Sequence, residues 1–145
     1  MDIKRRFKRF FKLRFAALYP FGVFVALFNS PSDRSIMAGI WFILAGLILR
    51  LWANGYAIKL DKLTTSGPYA FVRHPLYLGT LLIAAGFIIM LDVYLSGVLL
   101  LSAMAFIYFR TVKKEEEMLK DKFKAAYLDY RKNTPVFIPR LIPYQ

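Results

Sequence analysis

Apolar residues fall into four blocks separated by short polar clusters. The clearest runs from Ile36 to Ile58 and matches the roughly 20 residues a helix needs to cross a hydrocarbon core. Arg50 lies inside it, and Asn54 follows one helical turn later. Upstream, Phe15 to Phe28 is shorter and holds Pro20 and Gly22. A helix starting nearer Phe10 reaches spanning length, with Lys12 and Arg14 extending their charged ends toward the surface. Asn29-Ser30-Pro31-Ser32-Asp33 reads as the turn between these two blocks.

Leu76 to Phe109 is apolar for 34 residues, broken only by Asp92. One helix of that length would be about 51 Å long, far beyond a hydrocarbon core of ~30 Å. Two helices joined at Leu91-Asp92-Val93 form a hairpin and let Asp92 reach water; each is a little short, so small tilt or local bilayer thinning is expected. From Arg110 to Lys132 the chain is charged, with Met118, Leu119, Phe123, Ala126, Tyr127 and Tyr130 at helical spacing. That pattern predicts an amphipathic helix at the membrane surface or over the cytosolic face. Asn133-Thr134-Pro135 ends it, and Pro139 and Pro143 keep the last residues extended. The predicted fold is an all-α integral membrane protein of about four transmembrane helices, the third and fourth a hairpin, plus a C-terminal amphipathic helix. It forms one domain over residues 1–145, with a basic lead-in at 1–14 and a cytosolic tail at 110–145. No internal repeat stands out.

Charge sets the orientation. Seven of the 21 basic residues lie in the first fourteen positions. With four spans and the N-terminus inside, these residues, Lys59, Lys62, Arg73 and everything from Arg110 onward share one side, and only Arg34 falls opposite, as the positive-inside rule requires. Both termini are then cytosolic, and the small size and minimal loops point to a prokaryotic inner membrane. At 58% hydrophobic residues the chain exceeds the composition of a soluble domain. A net charge of +12 raises nucleic acid as a partner, but a nucleic-acid domain would not carry such long uncharged runs, and membrane lipid is the expected anionic partner. There is no cysteine and one histidine, so thiol chemistry is excluded and a zinc site is disfavoured. The N-terminus lacks the cleavage pattern of a signal peptide.

The chemistry concentrates in Gly67-Pro68-Tyr69-Ala70-Phe71-Val72-Arg73-His74-Pro75-Leu76-Tyr77-Leu78-Gly79. Pro75 suits the first turn of a helix, where its missing N–H is not needed. His74 then sits at the helix start, where free N–H groups and the positive dipole end favour an anion, and Arg73 adds fixed charge. Taken singly, each group has a plainer explanation. Arg73, His74, Tyr69 and Tyr77 can be interfacial anchors, Arg50 and Asn54 can pair helices, and Glu115-Glu116-Glu117 can be a solvated face. What points to a site is joint placement: the topology puts Asn54, the Asp61–Thr65 loop, Tyr69, His74, Tyr77 and Glu115 at one membrane face.

Leu63-Thr64-Thr65-Ser66-Gly67-Pro68-Tyr69 followed by Val72-Arg73-His74-Pro75-Leu76-Tyr77-Leu78-Gly79 resembles the signature of isoprenylcysteine carboxyl methyltransferases and related phospholipid methyltransferases. A second block is similar too: Glu115-Glu116, Leu119, Phe123, Tyr127, Tyr130, Pro135 and Pro139. The resemblance spans about Asn54 to Pro139. It implies methyl transfer from S-adenosyl-L-methionine to a lipophilic or lipid-modified acceptor. Carried over position by position, it implies cofactor contacts at Asn54, Asp61, Lys62, Leu63, Thr64, Tyr69, His74, Pro75, Leu76, Tyr77 and Glu115. Two positions depart from the pattern. Lys124 stands where a glycine is usual, and Thr111 stands where a substrate-side arginine is expected, with Arg110 beside it.

The expected catalytic set is Arg110, Glu116 and Arg73, with no metal. Arg110, or alternatively Arg50, would orient an anionic acceptor. A carboxylate acceptor is already ionised, whereas an amine acceptor must lose a proton, for which Glu115, Glu116 and His74 are the candidate bases. A carboxylate acceptor is the leading expectation, with a phospholipid or small amine as the alternative and a non-catalytic lipid-binding protein as a third reading.

Overall fold

A computed structural model describes residues 30–56 and 62–144. The first apolar block and Asp61 lie outside the described residues. Three helices carry the described fold: α1, Asp33–Tyr56; α2, Pro75–Met90; and α3, Tyr94–Asn133. A 3-10 turn at Gly67–Ala70 interrupts the loop before α2. No strand occurs among the described residues. Helices α1 and α3 are long and apolar enough to cross a membrane, and little of either apolar stretch is buried inside the protein. Helix α2 has 16 residues, about 24 Å at the α-helical rise.

Ser32 starts α1 by accepting the Ser35 N–H on its hydroxyl at 3.2 Å, which satisfies one of the free donors of the first turn. Helices α1 and α2 then pack through glycine. The buried positions of α1 are Ser35, Gly39, Gly46 and Ala53, and those of α2 include Gly79 and Gly86. A Cβ on Gly39 would fall 2.5 Å from the Gly86 carbonyl oxygen, and one on Gly46 would fall 2.6 Å from that of Gly79. The two helices therefore approach backbone to backbone in antiparallel register, as small-residue seams allow inside lipid. The seven-residue spacing of Gly39 to Gly46 and of Gly79 to Gly86 keeps that seam on one face of each helix. Arg50 completes it, donating to the Leu76 carbonyl at 3.3 Å and to the Thr80 hydroxyl. It acts here as a helix-pairing residue.

Asp92 turns the chain from α2 into α3 with φ of 54°, a conformation that aspartate tolerates better than most side chains. Its carboxylate accepts the Ser32 N–H at 3.1 Å, the Ser35 hydroxyl at 2.6 Å and the Tyr94 hydroxyl at 2.9 Å. This knot ties the start of α1 to the α2–α3 turn. Gly97 admits Ile88 immediately afterwards.

Helix α3 differs from the expectation of a span followed by a separate surface helix. It runs past Arg110 without a break, and the break falls instead at Lys124, with φ 45° and ψ −116°. Arg131 nevertheless reaches Glu116, with Nε 3.7 Å from Oε2. Fifteen residues of straight helix would separate them by about 22 Å, so the chain folds back at Lys124. Beyond Asn133 an extended strap lies along the loop before α2. Arg73 N–H donates to Pro135 O (2.9 Å), His74 N–H to Val136 O (3.3 Å), Arg140 N–H to Phe71 O (3.0 Å) and Tyr144 N–H to Ala70 O (2.9 Å).

Candidate active site

The site is built where three segments meet: the loop of residues 62–74 entering α2, the middle of α3, and the folded-back end of α3 with its strap. Gly67, at φ 60°, opens the 3-10 turn and Pro68 follows it, with the Tyr56 ring packed where a Cβ on Gly67 would stand. A side chain at Gly67 would be strained and would also collide with that ring. Trp52 and Phe71 rings meet 6.3 Å apart, fixing the loop on the end of α1. The Tyr130 hydroxyl donates to the Tyr69 carbonyl at 2.6 Å, so the returning end of α3 holds the loop from the other side.

Glu115 and Glu116 face the start of α2. The Tyr77 hydroxyl donates to Glu115 Oε1 at 2.6 Å. His74 lies between both carboxylates, with Nδ1 3.6 Å from Glu115 Oε2 and Nε2 3.4 Å from Glu116 Oε1. Arg73 Nη1 is 2.9 Å from Glu116 Oε1, and both side chains are about nine-tenths buried. Tyr108, two turns before Glu115 on the same face, sets its ring at a tilt against Tyr77 with centroids 4.9 Å apart, and the ring of Phe137 from the strap lies 6.5 Å from that of His74.

Burial pushes the His74 imidazole below its ordinary range; the two glutamates pull it upward, and burial prevails. A neutral imidazole has one N–H for two carboxylates, so one of its nitrogens faces an oxygen with no proton between them. Burial, then the charge of Glu115, raises the Tyr69 phenol. Although Arg73 and Glu116 are at ion-pair distance, their atoms are not aligned as a hydrogen bond. Arg73 Nε and Nη1, His74 Nε2 and Glu116 Oε1 are buried without a directed partner. They lie against one another, Glu116 Oε1 being 2.9 Å from Arg73 Nη1 and 3.4 Å from His74 Nε2, so charge rather than aligned hydrogen bonds holds this cluster together.

The structure brings together Tyr69, Arg73, His74, Tyr77, Glu115 and Glu116. Pro75 is the buried first residue of α2, and the carbonyl of Leu76 is occupied by Arg50 and Thr80. Leu63 and Thr64 are half-buried in the approach to the loop, Lys62 is exposed, and Asn54 is exposed near the end of α1. Arg110 is not in the cluster. It is exposed, its guanidinium lies over the Phe106 ring at 5.5 Å, and five residues of regular helix turn it roughly 140° away from Glu115. Arg131, Tyr108, Thr134 and Phe137 belong to the cluster's surroundings and were not singled out by sequence. Tyr108 could have been found from its seven-residue offset to Glu115; Arg131 could not, because only the reversal at Lys124 returns it.

Comparison with known proteins adds the context for this geometry. Residues 34–126 match the model of a family described as phospholipid methyltransferase. The chain is 36% identical over 98 residues to the cobalt-zinc-cadmium resistance protein CzcN of Cupriavidus metallidurans, covering 66% of this chain and 45% of that protein. It is 31% identical over 112 residues to the nickel-cobalt-cadmium resistance protein NccN of Alcaligenes xylosoxydans xylosoxydans, covering 76% of this chain and 52% of that one. A protein-S-isoprenylcysteine O-methyltransferase of Schizosaccharomyces pombe is 37% identical over 85 residues, 59% of this chain and 36% of its own length. The chain thus spans about half or less of the curated relatives it matches. No solved structure matches it.

Proposed function

The chain belongs to the phospholipid methyltransferase family, and on that premise we propose that it transfers a methyl group from S-adenosyl-L-methionine to a lipophilic carboxylate at the cytosolic face of a membrane. The observation that carries this reading is the seating of His74 between Glu115 and Glu116. Two sequence blocks some forty residues apart meet there, joining Arg73 and His74 to the glutamate pair of α3. On the four-span reading, this is the basic end of the bundle, and the Asp92 knot is the opposite end.

The residues fit the group that the family implies. S-adenosyl-L-methionine supplies an electrophilic methyl on a sulfonium, together with a carboxylate, an ammonium and ribose hydroxyls. Arg73 and the free N–H groups of the first turn of α2 suit the carboxylate; the backbone N–H groups of Arg73 and His74 are not among them, being committed to the strap. Glu115, held by Tyr77, suits the ammonium or the ribose hydroxyls. Tyr69 and the Leu63–Thr64 approach suit the adenosyl part, as does the exposed Lys62 edge. Glu116 positions Arg73 and His74 rather than acting as a base, since Arg73 and Arg131 both lie against it.

What the protein contributes to the reaction is alignment and the exclusion of water. Holding two reactants in line is worth about 7–11 kcal/mol in well-ordered cases. A carboxylate acceptor needs no base, which agrees with a site whose two glutamates are paired and whose histidine is buried. The alternative acceptor, a phospholipid or small amine, is favoured by one specific observation. Arg110, the cation expected to hold an anionic acceptor, faces away from the cluster. In an amine acceptor, neutral His74 would be the group to take the proton.

The test is transfer of labelled methyl groups by purified protein in lipid to prenyl-cysteine, fatty-acid and phospholipid acceptors. Base-labile product is expected. Base-stable product alone would replace the carboxylate reading with the amine one, and no incorporation with any acceptor would remove the transferase reading.

A further inference from the structure

The strap after α3 has two unlike faces. Toward the protein it places Phe137 against His74 and the Tyr144 ring 5.3 Å from Tyr130, while four backbone bonds fasten it to residues 70–73 and their neighbour His74. Outward it presents Ile138, Leu141 and Ile142, which are 80%, 97% and 69% exposed. A strap facing water would carry polar residues at those positions. Basic residues flank this apolar edge: Lys132 and Arg140, whereas Arg131 turns inward to Glu116 and the nearest carboxylate, Asp129, accepts from the Tyr144 hydroxyl. The strap is bonded to the residues that lead directly into α2, so it lies at the level where that helix enters its surroundings. Apolar side chains beside basic ones at such a level fit the acyl–headgroup boundary of a bilayer.

We propose that residues 138–142 are an interfacial anchor seated in an anionic leaflet, which keeps the strap closed over Arg73 and His74. The inference rests on the membrane placement given above but not on methyl transfer. Leaflet lipid, rather than a soluble partner, is the occupant favoured by the continuity of the strap with α2 and by the flanking positive charge.

Because the chain has no cysteine, single labels can be placed cleanly. Spin-labelled Ile138→Cys, Leu141→Cys, Lys132→Cys and Ile48→Cys forms of the full chain are reconstituted in phosphatidylcholine–phosphatidylglycerol vesicles. Collision with oxygen is then compared with collision with a water-soluble nickel chelate. The expected result is an oxygen-to-nickel ratio at 138 and 141 at least threefold above that at Lys132, approaching that of Ile48 on the exposed face of α1. If 138 and 141 match Lys132 while Ile48 reads as lipid, the anchor is refuted and a soluble partner becomes the better occupant. If Ile48 also reads as water, the membrane placement fails and the anchor with it. As a second measurement, amide exchange at Arg73 and His74 is followed in the Ile138→Asp/Leu141→Asp/Ile142→Asp chain. Exchange at least tenfold faster than wild type in vesicles supports the anchor, and unchanged exchange overturns its role in closing the strap.

Discussion

Replacing Lys124 by glycine should stabilise the protein. Lys124 holds φ 45° and ψ −116°, a region that only glycine occupies freely. Strain of this kind costs about 1–3 kcal/mol for a residue with a Cβ. Glycine removes that cost but adds freedom to the unfolded chain, which opposes folding by ~0.4–1 kcal/mol. The Lys124 side chain is exposed, so little packing is lost. The balance is a gain of roughly 0.5–2 kcal/mol, a few degrees in the thermal midpoint for a chain of this size. Thermal unfolding in detergent micelles would be compared for wild type, Lys124→Gly and Lys124→Ala. Alanine keeps the Cβ and should give no gain, which separates backbone relief from loss of the lysine charge. The reasoning fails if glycine lowers the midpoint, or if alanine raises it as much as glycine does.

Three further outcomes are expected. Because burial lowers the His74 pKa, the unfolded chain binds a proton first as pH falls; folded stability is undiminished above the ordinary imidazole value of 6.5 and declines as pH drops through it toward the lower folded value. Unfolding midpoints measured from pH 7.5 to 5 should show this decline, and His74→Gln should flatten it. Glu116→Ala strips the counter-charge from buried Arg73 and should cost about 3–5 kcal/mol, seen as a large fall in the unfolding midpoint, whereas Lys120→Ala should leave it unchanged. Gly46→Ala drives a methyl group to 2.6 Å from the Gly79 carbonyl oxygen and should destabilise by about 1–3 kcal/mol; Gly55→Ala, which meets nothing within 4 Å, is the control for thermal unfolding.

Much of this arrangement was legible in the sequence because hydrophobic runs and prolines act locally. The start of α2 at Pro75, the turn at Leu91-Asp92-Val93 and the proline-punctuated strap all follow from residues that leave the backbone few options. The grouping of Arg73, His74, Tyr77 and Glu115 was readable as two motif blocks sharing one face. What escaped was long-range. The glycine seam is visible as paired seven-residue spacings only once the two helices are known to run past each other. The bend at Lys124 was hidden because a lysine favours continuing a helix; only its standing in for an expected glycine hinted at a turn. With that bend unseen, Arg131 could not be placed near Glu116; Arg110 was chosen only as the neighbour of Thr111, where the resemblance expects an arginine, and its helical bearing turns it away.

The claim on which the account turns is that His74 and Glu115 serve one guest. A double-mutant cycle on S-adenosyl-L-methionine affinity, measured by calorimetry with the full chain in lipid for wild type, His74→Ala, Glu115→Gln and the double variant, tests it directly. The account predicts at least a tenfold loss for each single change and little further loss for the double, the mark of neighbours acting on the same ligand. Wild-type affinity retained in both single variants, or losses that simply multiply, would contradict it.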